Sequence, residues 1–240
     1  MADDDQALAG YTDWKQWHDD AFGRCSRGEA RYFAWHLARC HPAPLRSALE
    51  IGYGNGNFLG FARGRGIEVV GVETQPALRA RATAAGIENH AAVDDLPPGR
   101  RFDLIVAFDV FEHVEPGALI GLLQRLTALL TPQGVLLCRV PNGESPFGRI
   151  FQHGDLTHVN TLGLSKFRQL AAATGLEMIC HGEMPWYRTA RNPKRLLRGA
   201  LQALLERLVA FAYHWDARAL SPNLVVALRR PAAPGTPASA

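Results

Sequence analysis

The sequence predicts an α/β fold, a doubly wound and mostly parallel sheet with helices on both faces. Three observations carry that reading. Short apolar runs of strand length recur along the chain, helical stretches alternate with them, and the connections between are short. The first such run also ends in a glycine-rich turn, Gly52-x-Gly54-x-Gly56, that opens a helical stretch.

Taken in order, Tyr11–Phe22 and Gly28–Cys40 carry apolar residues at helical spacing, the second through Tyr32, Phe33, Trp35, His36, Leu37 and Cys40. Pro42 and Pro44 end that helix. Strands are expected at Ser47–Ile51, Val69–Val72, Phe102–Phe108, Val135–Val140, Glu177–Cys180 and Leu224–Leu228, with a weaker one at His90–Val93. The helices between them are Gly56–Arg63, Pro76–Ala85, Pro116–Leu130 and Leu164–Thr174. This divides the chain into an N-terminal helical cap (1–44), one main domain (45–230) with a helical insertion at 185–222, and a Pro/Ala-rich tail (231–240) expected to be disordered.

Composition excludes several classes. With 240 residues, 47% hydrophobic and 20% charged, the chain is globular and neither collagen, coiled coil nor wholly disordered. No apolar run reaches the roughly 18–20 residues of a membrane span. The acidic start Met1-Ala2-Asp3-Asp4-Asp5 does not read as a secretion signal. Cys25, Cys40, Cys138 and Cys180 lack the paired spacing of a disulfide framework or thiolate zinc site, so free thiols in the cytoplasm are expected. Charge is uneven: residues 1–185 hold 17 basic and 21 acidic side chains, residues 186–240 hold 9 and 2. That points to an anionic partner for the last quarter, although 23 of the 26 basic residues are Arg, which compositional bias also produces.

The chemistry concentrates at Glu50-Ile-Gly-Tyr-Gly-Asn-Gly56. Glycines after a buried strand let the backbone turn and let a ligand lie against it, at the strand end where open parallel sheets bind ligands. A dinucleotide fingerprint needs its third glycine at position 57, which is Asn57, so a nicotinamide dehydrogenase is the weaker alternative. The second strand ends in Val70-Gly-Val-Glu73, and an acid there can accept both hydroxyls of a ribose. E-x-G-x-G-x-G with Glu73, Phe102–Val114 with its Glu112-His113-Val114, and Leu129-Leu-Thr-Pro-Gln-Gly-Val-Leu-Leu137 together resemble the class I S-adenosylmethionine-dependent methyltransferases over roughly residues 46–183.

The resemblance implies a Rossmann-like sheet of about seven strands whose last strand runs antiparallel. It also implies S-adenosyl-L-methionine as cofactor, lined by Glu50, Gly52, Tyr53, Gly54, Gly56, Glu73, Phe108 and Asp109. The family's adenine-binding acid falls near Asp94 and Asp95, of which Asp94 is favoured. Phe108-Asp109-Val110-Phe111 lacks the Asn/Asp-Pro-Pro-aromatic turn of enzymes that methylate base amines, and nothing else in the chain suggests nucleic acid.

Methyl transfer to a hydroxyl needs alignment and removal of one proton. His158, in Gly154-Asp-Leu-Thr-His158, is the candidate base, and Asp155 a candidate orienter. His113 either shares the catalytic role or shapes the pocket by binding backbone. Glu112, Asp155 and the two histidines are residue types that hold a divalent ion, but no ligand spacing compels one and no metal is expected. Pro141–Gly148 followed by Gly154–His158 is similar to methyltransferases of bacterial surface-polysaccharide and secondary biosynthesis, and the general core to quinone-type O-methyltransferases. The resemblance thus implies a sugar or sugar-lipid hydroxyl as acceptor. A non-catalytic S-adenosylmethionine-binding partner protein is the alternative from outside the enzymes.

Within the insertion, Leu197, Leu201, Leu204, Leu205 and Leu208 make one apolar stripe continuing towards Phe211. Arg188, Arg191, Lys194, Arg195 and Arg198 gather at its start beside Trp186 and Tyr187. The stripe is expected to pack on the sheet or on a second copy of the chain. Its alternative is peripheral contact of residues 186–215 with an anionic membrane, at the inner face.

Overall fold

The structure, a computed structural model, describes residues 22–41, 44–184, 193–213 and 220–231. The helix expected from Tyr11, the Trp186–Arg191 cluster and almost all of the tail lie outside the described residues.

The described chain begins with α1 (Arg27–Cys40), closed at its start by a capping box. Ser26 Oγ accepts from the Glu29 amide and Glu29 accepts from the Ser26 amide, an arrangement that contributes about 1 kcal/mol. Then follow β1 (Ser47–Ile51), α2 (Asn57–Arg63), β2 (Glu68–Val72), α3 (Pro76–Ala84), β3 (Glu88–His90), β4 (Phe102–Phe108), α4 (Pro116–Ala128) and β5 (Leu130–Pro141). The chain continues through α5 (Arg149–His153), α6 (Leu164–Thr174), β6 (Glu177–His181), α7 (Pro193–Tyr213) and β7 (Asn223–Arg229). Pro76 and Pro116 start their helices where an amide hydrogen is not needed.

The seven strands run β3-β2-β1-β4-β5-β7-β6. All pair in parallel except β7, which is antiparallel to both β5 and β6. Order reverses between β1 and β4, so the crevice at their carboxyl ends is the switch point where such sheets bind ligands. Strand residues alternate between two cores. Leu49, Ile105, Leu136 and Val226 face α4 and α6, while Ala48, Leu104, Leu137 and Val225 face α1 and α2.

Two expectations shift. β5 starts at Leu130, inside the stretch expected as helix and turn, because the strand bulges. Phe102 pairs with Leu130 and Leu104 already with Val135. β3 lies at Glu88–His90, earlier than His90–Val93, because Val93–Asp95 winds into a 3₁₀ turn.

α1 is pinned to the end of β6. Tyr32 donates to Glu183 at 3.2 Å, and His36 Nε2 lies 3.2 Å from the other Glu183 oxygen with the imidazole 1% exposed. Burial lowers the His36 pKa, outweighing Glu183. A folded-state pKa below the ordinary 6.5 means that the unfolded chain takes up a proton which the folded chain refuses. The associated stability is full above about pH 6.5 and falls as pH drops towards the lowered value. His36→Gln is therefore expected to lose less melting temperature than the wild type between pH 7 and pH 5. Equal slopes in thermal denaturation would exclude His36 as the source.

Candidate active site

The glycine turn sits at the switch point. Gly52, Gly54 and Gly56 all adopt left-handed backbone, with φ of 63°, 50° and 71°. Gly52 is exposed between buried Ile51 and Tyr53, and a Cβ on it would stand 2.7 Å from Val110 Cγ2. The turn thus presents bare backbone at the carboxyl edge, against the loop that follows β4.

Glu73, one residue past β2 and 6% exposed, reaches back to this turn. One carboxylate oxygen accepts from the Gly54 amide at 3.3 Å, and the other from the Gln75 amide at 3.1 Å. Glu73→Ala removes a charged acceptor, worth roughly 1.5–3 kcal/mol, so affinity for S-adenosylhomocysteine should fall about tenfold to a hundredfold. Unchanged affinity in calorimetry would take Glu73 out of the site.

The other residues expected around the cofactor divide. Glu50 accepts from the Leu59 amide at 3.1 Å and so holds the first turn of α2. Burial, with Glu73 adding to it, pushes the Glu50 carboxyl well above its ordinary value. Tyr53 turns inward, its ring so close to Gly71 that a Cβ there would stand 2.5 Å from it, and packs with Leu59, Leu78, Ala82 and Ile87. Asp95 closes its own turn by accepting from the Ala92 amide at 2.9 Å. Asp94 projects outward, 76% exposed and 3.7 Å from Arg125. Asp109, with φ of 57° in the left-handed region, pairs through both oxygens with Arg139. Phe108 stacks on Phe33 with centroids 5.7 Å apart, and the Arg139 guanidinium lies 5.1 Å from the Phe108 ring.

The loops after β4 and β5 bring the expected catalytic residues together. The amides of Val159 and Asn160 both donate to the Glu112 carbonyl at 3.0 Å, and the His113 and His158 rings meet edge to face at 4.7 Å. His158 Nδ1 lies 3.0 Å from the Gln152 carbonyl. A carbonyl only accepts, so Nδ1 carries a hydrogen, and in the neutral ring the lone pair falls on Nε2. That Nε2 is 3.7 Å from Asp155 and 4.0 Å from fully buried Glu112. His113 Nδ1 similarly meets the Thr157 carbonyl at 3.2 Å and Thr157 Oγ1 at 3.0 Å. His113 thus binds backbone and braces the His158 loop.

Asp155, the candidate orienter, stands near His158 Nε2 and makes no contact with Nδ1. The Gln152 carbonyl holds Nδ1, while Asp155 accepts from the Thr157 amide at 3.0 Å and from its hydroxyl at 2.6 Å. The sequence reading also missed Arg139 and Gln152. Glu112, His113 and His158 offer one ligand atom each, all within 4.8 Å of one another. That set can hold a divalent ion, a capacity the spacing along the chain did not compel.

The residues present fit S-adenosylmethionine. The left-handed turn leaves exposed Gly52 as a side-chain-free floor, Glu73 stands behind it as a carboxylate able to accept from a hydroxyl, and Val110 joins it to the histidine loops. The group supplies an activated methyl on sulfonium.

A family model for a methyltransferase domain matches residues 12–181. Sequence comparison with curated proteins finds no match. Among solved structures, an S-adenosylmethionine-dependent methyltransferase from Archaeoglobus fulgidus is 18% identical with a TM-score of 0.58, covering 84% of this chain and 94% of its own. The plantazolicin methyltransferase BpumL, in complex with SAH, is 15% identical with a TM-score of 0.57, covering 95% and 91%. Mitomycin 7-O-methyltransferase is 14% identical with a TM-score of 0.57, covering 84% of this chain and 54% of its own. The dehydrogenase and the non-catalytic binding protein give way to the family match, which spans well over half the sequence: the chain belongs to the methyltransferase-domain family and is an S-adenosylmethionine-dependent methyltransferase.

Proposed function

We propose that the acceptor is a hydroxyl of a sugar, a sugar-lipid or a comparable small molecule, and that His158 takes its proton at Nε2. The observation that supports this is the lock on His158: its Nδ1 hydrogen is committed to the Gln152 carbonyl, so Nε2 is the ring atom left to exchange a proton with an acceptor. An alcohol is a poor nucleophile until it begins to lose its proton, whereas a neutral amine is not, so a fixed base favours oxygen as the methylated atom. The sugar class rests on the likeness of Pro141–Gly148 and Gly154–His158 to polysaccharide methyltransferases. In this chain the first of those segments anchors the return of the insertion. Asn142 Nδ2 donates to the Ser221 carbonyl at 2.9 Å, and Ser145 Oγ to the Leu220 carbonyl at 2.5 Å.

The test is turnover with radiolabelled S-adenosylmethionine on free sugars, lipid-linked sugars, quinol-type phenols and amines, with and without a chelator. Label on a sugar oxygen, undiminished by the chelator, is the expected result. Label confined to phenols would move the protein to the quinone type, label confined to amines would remove the need for a base, and loss of turnover with chelator would give the Glu112–His113–His158 set to a resident metal.

A further inference from the structure

We propose that α7 lies on the surface of an anionic lipid bilayer and holds the active-site edge against it; the inference deepens the lipid-linked variant of the reading above. The sequence expected the leucine stripe to pack on the sheet or on another copy. The structure turns it outward. Leu197 is 62% exposed, Leu201 58%, Leu208 56% and Phe211 83%, with Leu204 and Leu205 about half exposed. The helix instead buries Gly199 and Ala210, small residues three turns apart on the opposite side. A surface helix of a globular protein buries its large apolar residues; α7 leaves them in the open. At 21 residues it presents an apolar face roughly 30 Å long. Among the described residues no helix is long and apolar enough to cross a membrane, so a bilayer would meet this helix lying flat.

Charge and topology select the occupant. Within α7 the charged residues are Lys194, Arg195, Arg198, Glu206 and Arg207, so the helix is basic and concentrates that charge at its start. Residues 186–240 as a whole carry 9 basic and 2 acidic side chains. A second copy would bring an equally basic helix to the same face, whereas anionic headgroups complement it. The insertion leaves the sheet at the carboxyl end of β6 and returns at the amino end of antiparallel β7. Both ends therefore lie on the edge that carries the glycine turn and His158. α5 and the loop that leads to His158 add a second apolar patch: Ile150 is 81% exposed, Leu156 102%, and Phe151 and Val159 each 50%. A bilayer that engaged α7 would thus face the mouth of the site, where a lipid-linked acceptor presents its head.

Co-sedimentation of the full chain with phosphatidylcholine vesicles, with and without phosphatidylglycerol, tests this. The expected result is binding to the anionic vesicles at low salt, weakened by high salt and reduced at least tenfold by Lys194→Glu with Arg198→Glu. Leu201→Glu with Leu208→Glu should abolish it while S-adenosylhomocysteine affinity stays at the wild-type level, which verifies folding. Absence of binding at low salt, or equal binding to neutral vesicles, overturns the proposal. So does a concentration-dependent dimer, seen by light scattering, that the leucine substitutions dissolve without any vesicle binding, since the face would then belong to a second copy. Sedimentation needs no acceptor and no turnover. Vesicle binding together with label only on soluble acceptors would therefore defeat the lipid-linked reading and leave the docking intact.

Discussion

His158→Ala should lower the chemical step by about 10²–10⁴ while S-adenosylhomocysteine still binds at wild-type strength. The ring is fixed from one side by the Gln152 carbonyl and from the other by the edge of His113, so removing it takes away the Nε2 lone pair and little of the glycine turn. Single-turnover kinetics read the step directly, and added imidazole should restore part of it. A fall in cofactor affinity with the chemical step unchanged would make His158 a structural residue. Asp155→Asn separates two roles. Its carboxylate closes the turn onto Thr157 and stands 3.7 Å from Nε2, beyond hydrogen-bond reach. The loss should be smaller than that of His158→Ala and should largely disappear in the double mutant if Asp155 acts through the histidine. Full additivity would uncouple the pair.

The parts of this site legible in the sequence are those whose signal is contiguous. Gly52, Gly54 and Gly56 announce left-handed backbone by residue type alone, and Glu73 follows a strand recognisable by its apolar run. What escaped depends on neighbours across the fold. The lock on His158 is a backbone carbonyl, which every residue carries and no motif advertises. The Asp109–Arg139 pair joins adjacent strands 30 residues apart, through the register of Phe108 with Arg139. Glu112 and His158 meet because the loops after β4 and β5 are stitched by amides to the Glu112 carbonyl, a contact that spacing along the chain does not encode.

The same division runs through the fold. The seven strands, the mostly parallel sheet and the antiparallel last strand agree with the expectation, since buried strands and intervening helices leave few topologies open. Periodicity found the stripe on α7 but could not say which side of the helix faces solvent. Leu201 and Ala210 are both apolar, and only packing exposes the first and buries the second.

Gly52→Val should be the most damaging change to cofactor binding, with affinity for S-adenosylhomocysteine falling more than about a hundredfold. Two effects combine. A β-branched residue at φ 63° strains the backbone by on the order of 1–3 kcal/mol, and its side chain stands on the exposed floor of the glycine turn. Its Cβ would also approach Val110 Cγ2 to 2.7 Å, so one of the two residues must move. A second substitution tells packing from binding. Val110→Ala removes the methyl group in conflict and should recover part of the melting temperature lost by Gly52→Val. It cannot clear the floor of the turn, so affinity should remain low. Recovery of both properties in the double mutant would show that Gly52 is needed only to let the β4 loop close, and the cofactor contact would then shift to Gly54 and Glu73, which the 3.3 Å amide-to-carboxylate bond already joins.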